Sequence, residues 1–276
     1  MGDASEEPMP LYIIPDRKVS LADVREGMRN HYEGTELSMT NDPGAGAYKV
    51  PYRWRPMTFK SEGREYFNER AIATQQTGFV LIAQMRSWLP DAVGGILWFG
   101  VDDANTAVLT PMYASITEIP ECYRRGNGSM TEFSWTSAFW IHNWVANMAY
   151  NRYEPMIRDI RPVQKELEDS YVDLVKNTDA KALELLKSSP AQATAYLTEV
   201  CGKVANEATA RWKKLGEYLL VKYMDGNVKK EKDGKFEENG YGQIVSPNFP
   251  GYSQEYYDQV AKSEEAKHLE VPKKDK

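Results

Sequence analysis

The chain is poor in cysteine and histidine: its 276 residues include two cysteines and three histidines. Cys122 and Cys201 are too few and too far apart in the sequence to form a disulfide framework or a metal-binding knuckle. His31, His142 and His268 are scattered, and no HExxH or CxxC motif accompanies them. We therefore expect neither a metal ion nor another cofactor.

Long apolar runs and a basic stripe are also missing. No apolar run approaches the roughly 18 residues that a membrane helix requires, and the opening residues, MGDASEEPMP, lack the apolar segment of a signal peptide. The net charge of −6 is spread over residues of both signs. Neither a membrane nor a nucleic acid is therefore an expected partner, and the compartment stays open. GxSxG and P-loop motifs are absent as well.

The apolar pattern of the first half is that of β-strands. Strand-like segments at 65–72, 77–86, 94–101 and 106–113 are joined by short turns, which is typical of an antiparallel meander. A long loop, 35–56, precedes them and is dense in glycine, proline and aromatic residues. Loops of this length in a compact domain are usually functional or packed on themselves.

Apolar residues at helical spacing occur before the strands and again after residue 126. Ser20, with Asp23 at the reciprocal position, predicts a capped helix that ends near Gly34. Further helices are predicted from 134 or 136 to before 155, from 162 onwards, over 179–187, and from 190 to 226. Strands followed by helices predict an α+β fold.

We expect one folded region with a polar segment at each end. Residues 1–15 form a polar leader, and residues 16–226 fold together. This folded region is strand-rich over 57–115 and helical over 134–226. Residues 227–276, rich in lysine and glutamate, are expected to form a flexible tail.

Both cysteines fit structural roles. Cys201 falls on the apolar stripe of the longest predicted helix and is expected to be a small core residue. Cys122 lies in the loop IPECYRRGNG, where Arg124 and Arg125 could lower the pKa of its thiol. Because no partner group is in view, we expect Cys122 to be a plain surface thiol.

Other polar and aromatic groups also favour structural roles. His142 lies on a tryptophan-rich helix and is expected to be packed and hydrogen-bonded rather than a base. Asp102 and Asp103 could pair as carboxylates, but consecutive residues point apart on a strand, so a turn role is expected. A cluster of aromatic side chains is expected in the core rather than on a ligand platform: Trp135, Phe139, Trp140 and Trp144.

Three long motifs carry a resemblance to a known family: YKVPYRWRPM, TQQTGFVLIAQMRSWLPDAVGGILWFGVDD and EFSWTSAFWIHNWVANMAYNRY. Over residues 10–226 the chain resembles the cysteine dipeptidase family of bacterial dipeptidase A and the animal secernins. Such proteins are similar to penicillin acylase-like and bile-salt hydrolase-like enzymes, which are N-terminal-nucleophile hydrolases. The resemblance implies that the α+β region is part of a four-layer αββα sandwich.

The resemblance also implies a mechanism that these residues do not complete. In such enzymes a cysteine thiolate attacks the scissile carbonyl, and the free α-amine of the same residue, with a pKa of about 7.7–8.0, acts as the base. The mechanism requires cysteine as the first residue, whereas this chain begins Met1-Gly2-Asp3. We therefore expect the chain to be the C-terminal portion of such an enzyme, without its nucleophile and inactive alone.

Two site residues follow from the resemblance. In bile-salt hydrolases a late arginine lies beside the nucleophile, and Arg86 is the matching candidate here. It could stabilise a developing oxyanion or hold a substrate carboxylate. The alternative is a structural arginine that binds the turn carbonyls of SWLPD. Asn41, in MTNDPG, resembles the Asn–Pro element of the same relatives.

The expected function is hydrolysis of unblocked dipeptides, with the dipeptide and the missing N-terminal half as partners. One alternative is a non-catalytic, secernin-like module in which an aromatic loop such as PYRWRP binds a partner. Another is an amidase of the same fold that acts on non-peptide amides. Because the second sheet would come from the missing half, we expect an exposed apolar face on the strand layer, which leaves homo-oligomerisation open.

Overall fold

The computed structural model describes residues 10–54, 56–245 and 248–271. Its helices are α1 (Leu21–Met28), α2 (Asp91–Gly94), α3 (Ala138–Ala149), α4 (Tyr153–Leu186), α5 (Pro190–Tyr223) and α6 (Gln254–Ala261). Its strands are β1 (Thr58–Ser61), β2 (Arg64–Phe67), β3 (Phe79–Met85), β4 (Gly95–Val101), β5 (Thr110–Tyr113), β6 (Glu231–Lys232) and β7 (Lys235–Phe236). The predicted α+β class, with antiparallel strands followed by a helical region, is confirmed.

Strands β3, β4 and β5 form an antiparallel meander in that order. Phe79 of β3 lies opposite Val101 of β4, and Ile96 of β4 lies opposite Tyr113 of β5. Successive residues of a strand point to opposite faces, so the sheet has two distinct apolar faces. Three of the four predicted strands are therefore confirmed, with shorter bounds.

The fourth predicted strand, 65–72, is wrong in its extent and its partner. Strand β2 ends at Phe67 and pairs only with β1, in a separate hairpin whose residues are all exposed. After β2, Asn68 turns the chain away: its side chain donates hydrogen bonds to the carbonyls of Trp54 and Pro56, the shorter at 2.6 Å. This long-range contact, rather than local strand propensity, ends the strand.

Helices α3, α4 and α5 pack on each other and against one face of the meander. That face carries Val80, Ile96 and Trp98, all buried. The apolar stripe of α5 is buried from Leu197 to Leu219, as its spacing predicted, except at Val200, which is partly buried. The N-terminal cap of α5 at Ser189 is also confirmed, because the Ser189 hydroxyl accepts the N–H of Gln192.

Helix α4 differs from the prediction because it runs unbroken for 34 residues. The sequence predicted a helix that starts at Pro162 and a separate short helix over 179–187. Instead Pro162 lies inside α4, where it removes one backbone hydrogen bond. Residues on both sides of the proline are buried on one continuous stripe, among them Met156, Ile160 and Gln164. Tertiary packing of this stripe offsets the local cost of the proline.

Helix α1 has the predicted capping box. The Ser20 hydroxyl accepts the N–H of Asp23, and the Asp23 carboxylate accepts the N–H of Ser20. The helix ends at Met28, earlier than the predicted end near Gly34. Beyond it Tyr32 adopts a left-handed conformation, with φ of 63°, which reverses the chain.

The opposite face of the meander is open along β3 and at Leu97, whereas its β5 positions, Thr110 and Met112, are buried. It presents Phe79, Leu81, Met85 and Leu97, with exposed fractions from 36% at Leu97 to 76% at Met85. These side chains alternate with the buried positions on the same strands. The expected exposed apolar face on the strand layer is confirmed among the described residues.

The predicted leader and tail are described only in part. Residues 10–15 are exposed and lack regular structure, whereas 1–9 and 272–276 lie outside the described residues. The segment predicted as a flexible tail contains β6, β7 and α6, and Tyr252 meets Tyr48 edge-to-face at 5.3 Å. Its flexibility stays a prediction. Within the described ranges, every helix is too short or too polar to cross a membrane.

Candidate functional site

Arg86 lies at the end of β3, and each of its three guanidinium nitrogens donates at least one hydrogen bond. It forms a two-point ion pair with Asp179 of α4, in which Nη2 and Oδ1 are 3.1 Å apart. Its Nε donates to the carbonyl of Gly94 at 3.3 Å, and Nη2 donates to that of Val93 at 2.5 Å. These contacts agree with the structural alternative, although the carbonyls belong to α2 rather than to SWLPD itself.

Asn41 occupies an exposed turn just before the 3-10 helix Pro43–Tyr48. Its N–H donates to the carbonyl of Ser38 at 3.4 Å, and its Oδ1 accepts from the Thr40 hydroxyl at 3.4 Å. The following residue, Asp42, caps the 3-10 helix. The Asn41 amide nitrogen makes no hydrogen bond among the described residues.

The structure does not bring Arg86 and Asn41 together. Arg86 is tied to Asp179, near the C-terminal end of α4, whereas the loop that carries Asn41 reaches the start of α4 through Lys49 and Glu154. Those two positions of α4 are 25 residues apart in the sequence. At about 1.5 Å of rise per residue, they are separated by roughly 38 Å. One small substrate cannot contact both residues.

A buried polar network holds the segment between β4 and β5. The Asp103 carboxylate accepts the N–H and hydroxyl of Thr106 at 3.0 and 2.8 Å, and the Tyr150 hydroxyl at 3.0 Å. Asn105 donates to the carbonyl of Arg29 at 2.7 Å and accepts from the Tyr153 hydroxyl at 3.0 Å. Polar groups buried in this way are costly unless paired, so the network specifies one conformation of the segment.

Glu168 of α4 is the charged centre of the same network. Its Oε1 accepts from Arg29 at 2.5 Å and from the N–H of Leu109 at 3.0 Å. Arg25 lies 3.3 Å from Oε2, so α1 is joined to α4 through two buried guanidinium groups. No local pattern predicts this cluster, because Glu168 lies 139 residues after Arg29 in the chain.

Asp102 is the unusual member of this region. Its backbone is left-handed, with φ of 67°, and the side chain is only 2% exposed. Oδ1 accepts from Asn143 of α3 at 2.8 Å, whereas Oδ2 has no hydrogen-bond partner among the described residues. Burial, with a contribution from the Asp103 charge, raises the pKa of Asp102 to about 7. The expected turn role of Asp102 and Asp103 is confirmed, and Asp102 is strained and incompletely paired besides.

The prediction of a surface thiol at Cys122 is wrong. The 3-10 turn Glu121–Tyr123 packs on α5, where Asn206 accepts the Cys122 N–H at 3.3 Å, and this contact buries the thiol. Burial raises the pKa of Cys122 and, to about 11, that of the core residue Cys201. The nucleophilic form of cysteine is the thiolate, so neither residue is prepared to act as a nucleophile at neutral pH.

His142 is packed as expected, stacked on Trp212 with ring centroids 5.0 Å apart. Burial lowers the pKa of His142 to about 3. The expected hydrogen bond is missing at Nδ1, which has no partner among the described residues. A neutral, enclosed imidazole of this kind is not placed to act as a base.

The aromatic cluster is not in the core, contrary to the prediction. Trp135 is 52% exposed, and Phe139 and Trp140 are half-buried. Trp144 alone inserts between helices, against Gly216, where an added Cβ would lie 2.4 Å from the indole ring. The remaining rings lie at or just before the N-terminal end of α3, where Trp135 contacts Trp144 and Lys213 near the surface, so helical spacing could not predict their exposure.

The residues that sequence reasoning missed are partners in long-range contacts: Asp179, Glu168 and Asn143. The GVDD motif indicated that this part of the sequence is unusual. The burial of Asp102, however, depends on its contact with α3, which the motif does not predict. Among the described residues, no cluster of histidine, cysteine or carboxylate side chains could hold a metal ion. These long-range contacts fix the helices against the meander. One face of the sheet and one end of the meander stay accessible.

Comparison with known proteins gives a consistent family. A model of the family described as "Peptidase family C69" matches residues 2–166. The chain is 26% identical to "Probable dipeptidase B" of Lactococcus lactis subsp. lactis (strain IL1403), over 80% of this chain and 42% of that protein. It is 28% identical to "Probable dipeptidase" of Latilactobacillus sakei, over 73% of this chain and 38% of that protein.

A third similar protein is "Dipeptidase A" of Lactobacillus helveticus, which is 22% identical over 62% of this chain and 30% of its own length. The chain thus spans about two fifths, or less, of the length of the curated relatives that it matches. The matched part includes the meander, the polar segment after β4 and α3.

Proposed function

The chain belongs to peptidase family C69, and on that premise we propose that it forms one portion of a cysteine dipeptidase that hydrolyses unblocked dipeptides. The observation that carries the proposal is the family match over residues 2–166. Three relatives whose names contain the word dipeptidase support the same reaction class.

The proposal places the nucleophile outside these 276 residues. It is supported by the burial of both cysteines and by the raised pKa of each thiol. It is also supported by the share of the relatives, about two fifths, that the chain covers. Attack by an N-terminal cysteine, with its own α-amine as base, would then be supplied by another segment.

The open apolar face of the meander supports the proposed sandwich. Phe79, Leu81 and Met85 point away from the helix layer and have no cover among the described residues. A second β-sheet packed about 10 Å away would bury them, as in face-to-face sheet packing. The missing portion of the enzyme is the proposed source of that sheet.

Arg86 and Asn41 have different places in this proposal. Asn41 is exposed and its amide nitrogen is unbonded among the described residues, so it is the better candidate for contact with a substrate. The guanidinium of Arg86 already donates hydrogen bonds to Asp179 and to two carbonyls, so its proposed contribution is to position the β3–β4 hairpin.

A hydrolysis assay tests the proposal. The purified chain and a longer protein that includes the preceding cysteine-containing segment are incubated with unblocked dipeptides, and released amino acids are measured. We expect no release by the chain alone, release by the longer protein, and none after Cys→Ala at its N-terminal cysteine. Turnover by the chain alone would refute the placement of the nucleophile. An inactive longer protein would refute the dipeptidase assignment.

One observation favours the non-catalytic alternative. Trp54 of the PYRWRP loop is 82% exposed, which is unusual for tryptophan and is typical of residues that bind a partner protein. The hydrolysis assay separates the two functions through the longer protein and its Cys→Ala variant. If the protein is a non-catalytic module, neither of them releases amino acids from dipeptides.

A further inference from the structure

A cavity of about 550 Å³ opens where β4 ends and α3 begins. Phe99 and Val101 of β4 form one apolar wall, and Phe139 and Trp140 of α3 form another. Its volume lies within the range of roughly 300–1,000 Å³ that is usual for small-ligand sites. We call it the strand-end cavity.

The charged side chains that line the strand-end cavity are all cationic. Arg124 and Arg125 line it, and no aspartate or glutamate among the described residues does. Arg124 is partly neutralised, because its guanidinium lies 3.0 Å from the carboxylate of Glu121. Arg125 forms no ion pair and no hydrogen bond with any described residue. A cation left unpaired beside an apolar cavity favours an anionic ligand.

The hydroxyl of Ser137 adds a second polar group. Ser137 precedes α3, lines the cavity and is only 6% exposed, yet its hydroxyl makes no hydrogen bond with a described residue. No side chain caps the first turn of this 12-residue helix. The N–H groups of a first turn have no partners within the helix and attract negative charge. The hydroxyl, the helix terminus and Arg125 thus share one preference, for an anion.

We propose that the strand-end cavity binds the C-terminal residue of the dipeptide substrate. Its carboxylate is held by Arg125, by the Ser137 hydroxyl and by the N-terminus of α3. Its side chain packs between Phe99, Val101 and Trp140, so apolar C-terminal residues are preferred. This inference rests on the proposed function for the identity of the ligand, whereas the cavity and its charge do not depend on it.

The proposal is tested by the binding of dipeptides to the purified chain, which is monitored through the NMR chemical shifts of backbone amides. Because the chain is expected not to hydrolyse dipeptides, binding can be measured at equilibrium. The ligands are Gly-Phe, Gly-Phe amide, which lacks the carboxylate, and Gly-Gly, which lacks the apolar side chain. We expect Gly-Phe to shift the amides of Gly126, Ser137 and Trp140 and to bind about tenfold more tightly than either analogue.

Two variants with the same loss of charge complete the test. Arg125→Gln should weaken Gly-Phe binding about tenfold and abolish the preference over the amide. Arg158→Gln removes an exposed cation of α4 far from the cavity and should change neither value. Equal affinity for Gly-Phe and its amide, shifts confined to another surface, or no saturable binding would overturn the site. Failure of this binding test is distinguishable from failure of the proposed function, because the dipeptidase assignment is read from release of amino acids by the longer protein.

Discussion

Asp102 concentrates three unfavourable features in one residue: a left-handed backbone, near-complete burial and a carboxylate oxygen that has no partner among the described residues. Natural proteins retain such features mainly where surrounding contacts enforce them, and often at functional sites. Here the enforcing contacts are the Asn143 amide and the carbonyl of Gly78, which accepts the Asp102 N–H at 2.9 Å. Asp102 follows Val101 in the chain, and Val101 lines the wall of the strand-end cavity.

Asp102→Asn should stabilise the protein in a pH-dependent way. The pKa of Asp102 rises from about 3.9 when unfolded to about 7 when folded. The native state therefore binds more protons between these values, and its stability falls as the pH rises through this window. Asparagine keeps the acceptor for Asn143 and tolerates positive φ. We expect a gain of about 2 kcal/mol in unfolding free energy at pH 8, and less at pH 5, from urea denaturation.

Asp103→Asn is the matched control for this prediction. The Asp103 carboxylate is satisfied by Thr106 and Tyr150, so the variant should lose stability at both pH values. An equal effect of Asp102→Asn at pH 5 and pH 8 would contradict the raised pKa of Asp102.

At the scale of elements, the β3–β4 hairpin is tied to α4 by the buried pair of Arg86 and Asp179. The Tyr113 hydroxyl donates to the same carboxylate at 2.7 Å, which brings β5 into the contact. A pair of this kind adds little over an apolar contact, but removal of one partner leaves a buried charge uncompensated. Its position explains why Arg86 has a structural role regardless of any part in catalysis.

Arg86→Met should lower the unfolding free energy by about 3 kcal/mol because the Asp179 carboxylate loses its cationic partner and keeps only the Tyr113 hydroxyl. In that background Asp179→Ala should cost much less than it does in the native protein. Lys165→Met removes one partner of an exposed pair on α4 and should change stability by less than about 0.5 kcal/mol. Chemical denaturation compares the native protein with the two single variants of the pair, their double variant and the Lys165→Met control. Unchanged stability of Arg86→Met, combined with loss of activity in the longer protein, would instead assign Arg86 to the reaction centre.

Local signals were sufficient for some elements and insufficient for others. The Ser20 capping box and the apolar stripe of α5 depend on residues within a few turns, so α1 and α5 were predicted from the sequence. The continuous helix α4 depends on burial on both sides of Pro162, and the end of β2 depends on contacts of Asn68 with the preceding loop. Neither of these is encoded in a local pattern.

At the scale of the whole molecule, helices cover one face of the meander, whereas the β3 side chains Phe79, Leu81 and Met85 on the other face stay exposed among the described residues. Large exposed apolar patches are rare on isolated domains and mark surfaces that another chain or segment covers. The edge of the open face adjoins the strand-end cavity through Phe99 and Val101, so a covering layer would also close one side of the proposed substrate site.

Phe79→Thr and Leu81→Thr together should reduce self-association and hydrophobic-dye binding of the chain without loss of unfolding stability, because both side chains are exposed in the native state. Val80→Thr, between them in sequence and on the opposite face, should cost about 1–2 kcal/mol and leave association unchanged. Light scattering and dye fluorescence provide the measurements. A monodisperse native chain that binds no dye would count against the open face.

The sequence by itself determined the fold class, the meander, the capped helices and the resemblance to the dipeptidases, because each depends on local spacing or on a long continuous motif. Only the tertiary structure decided the separation of Arg86 from Asn41, the burial of Cys122 and the lack of a partner, among the described residues, for Oδ2 of Asp102. These properties depend on contacts between segments distant in the chain, which no local pattern specifies. Burial shifts the pKa values of the side chains in each site. Those pKa values determine which side chains are charged and which reactions they can support.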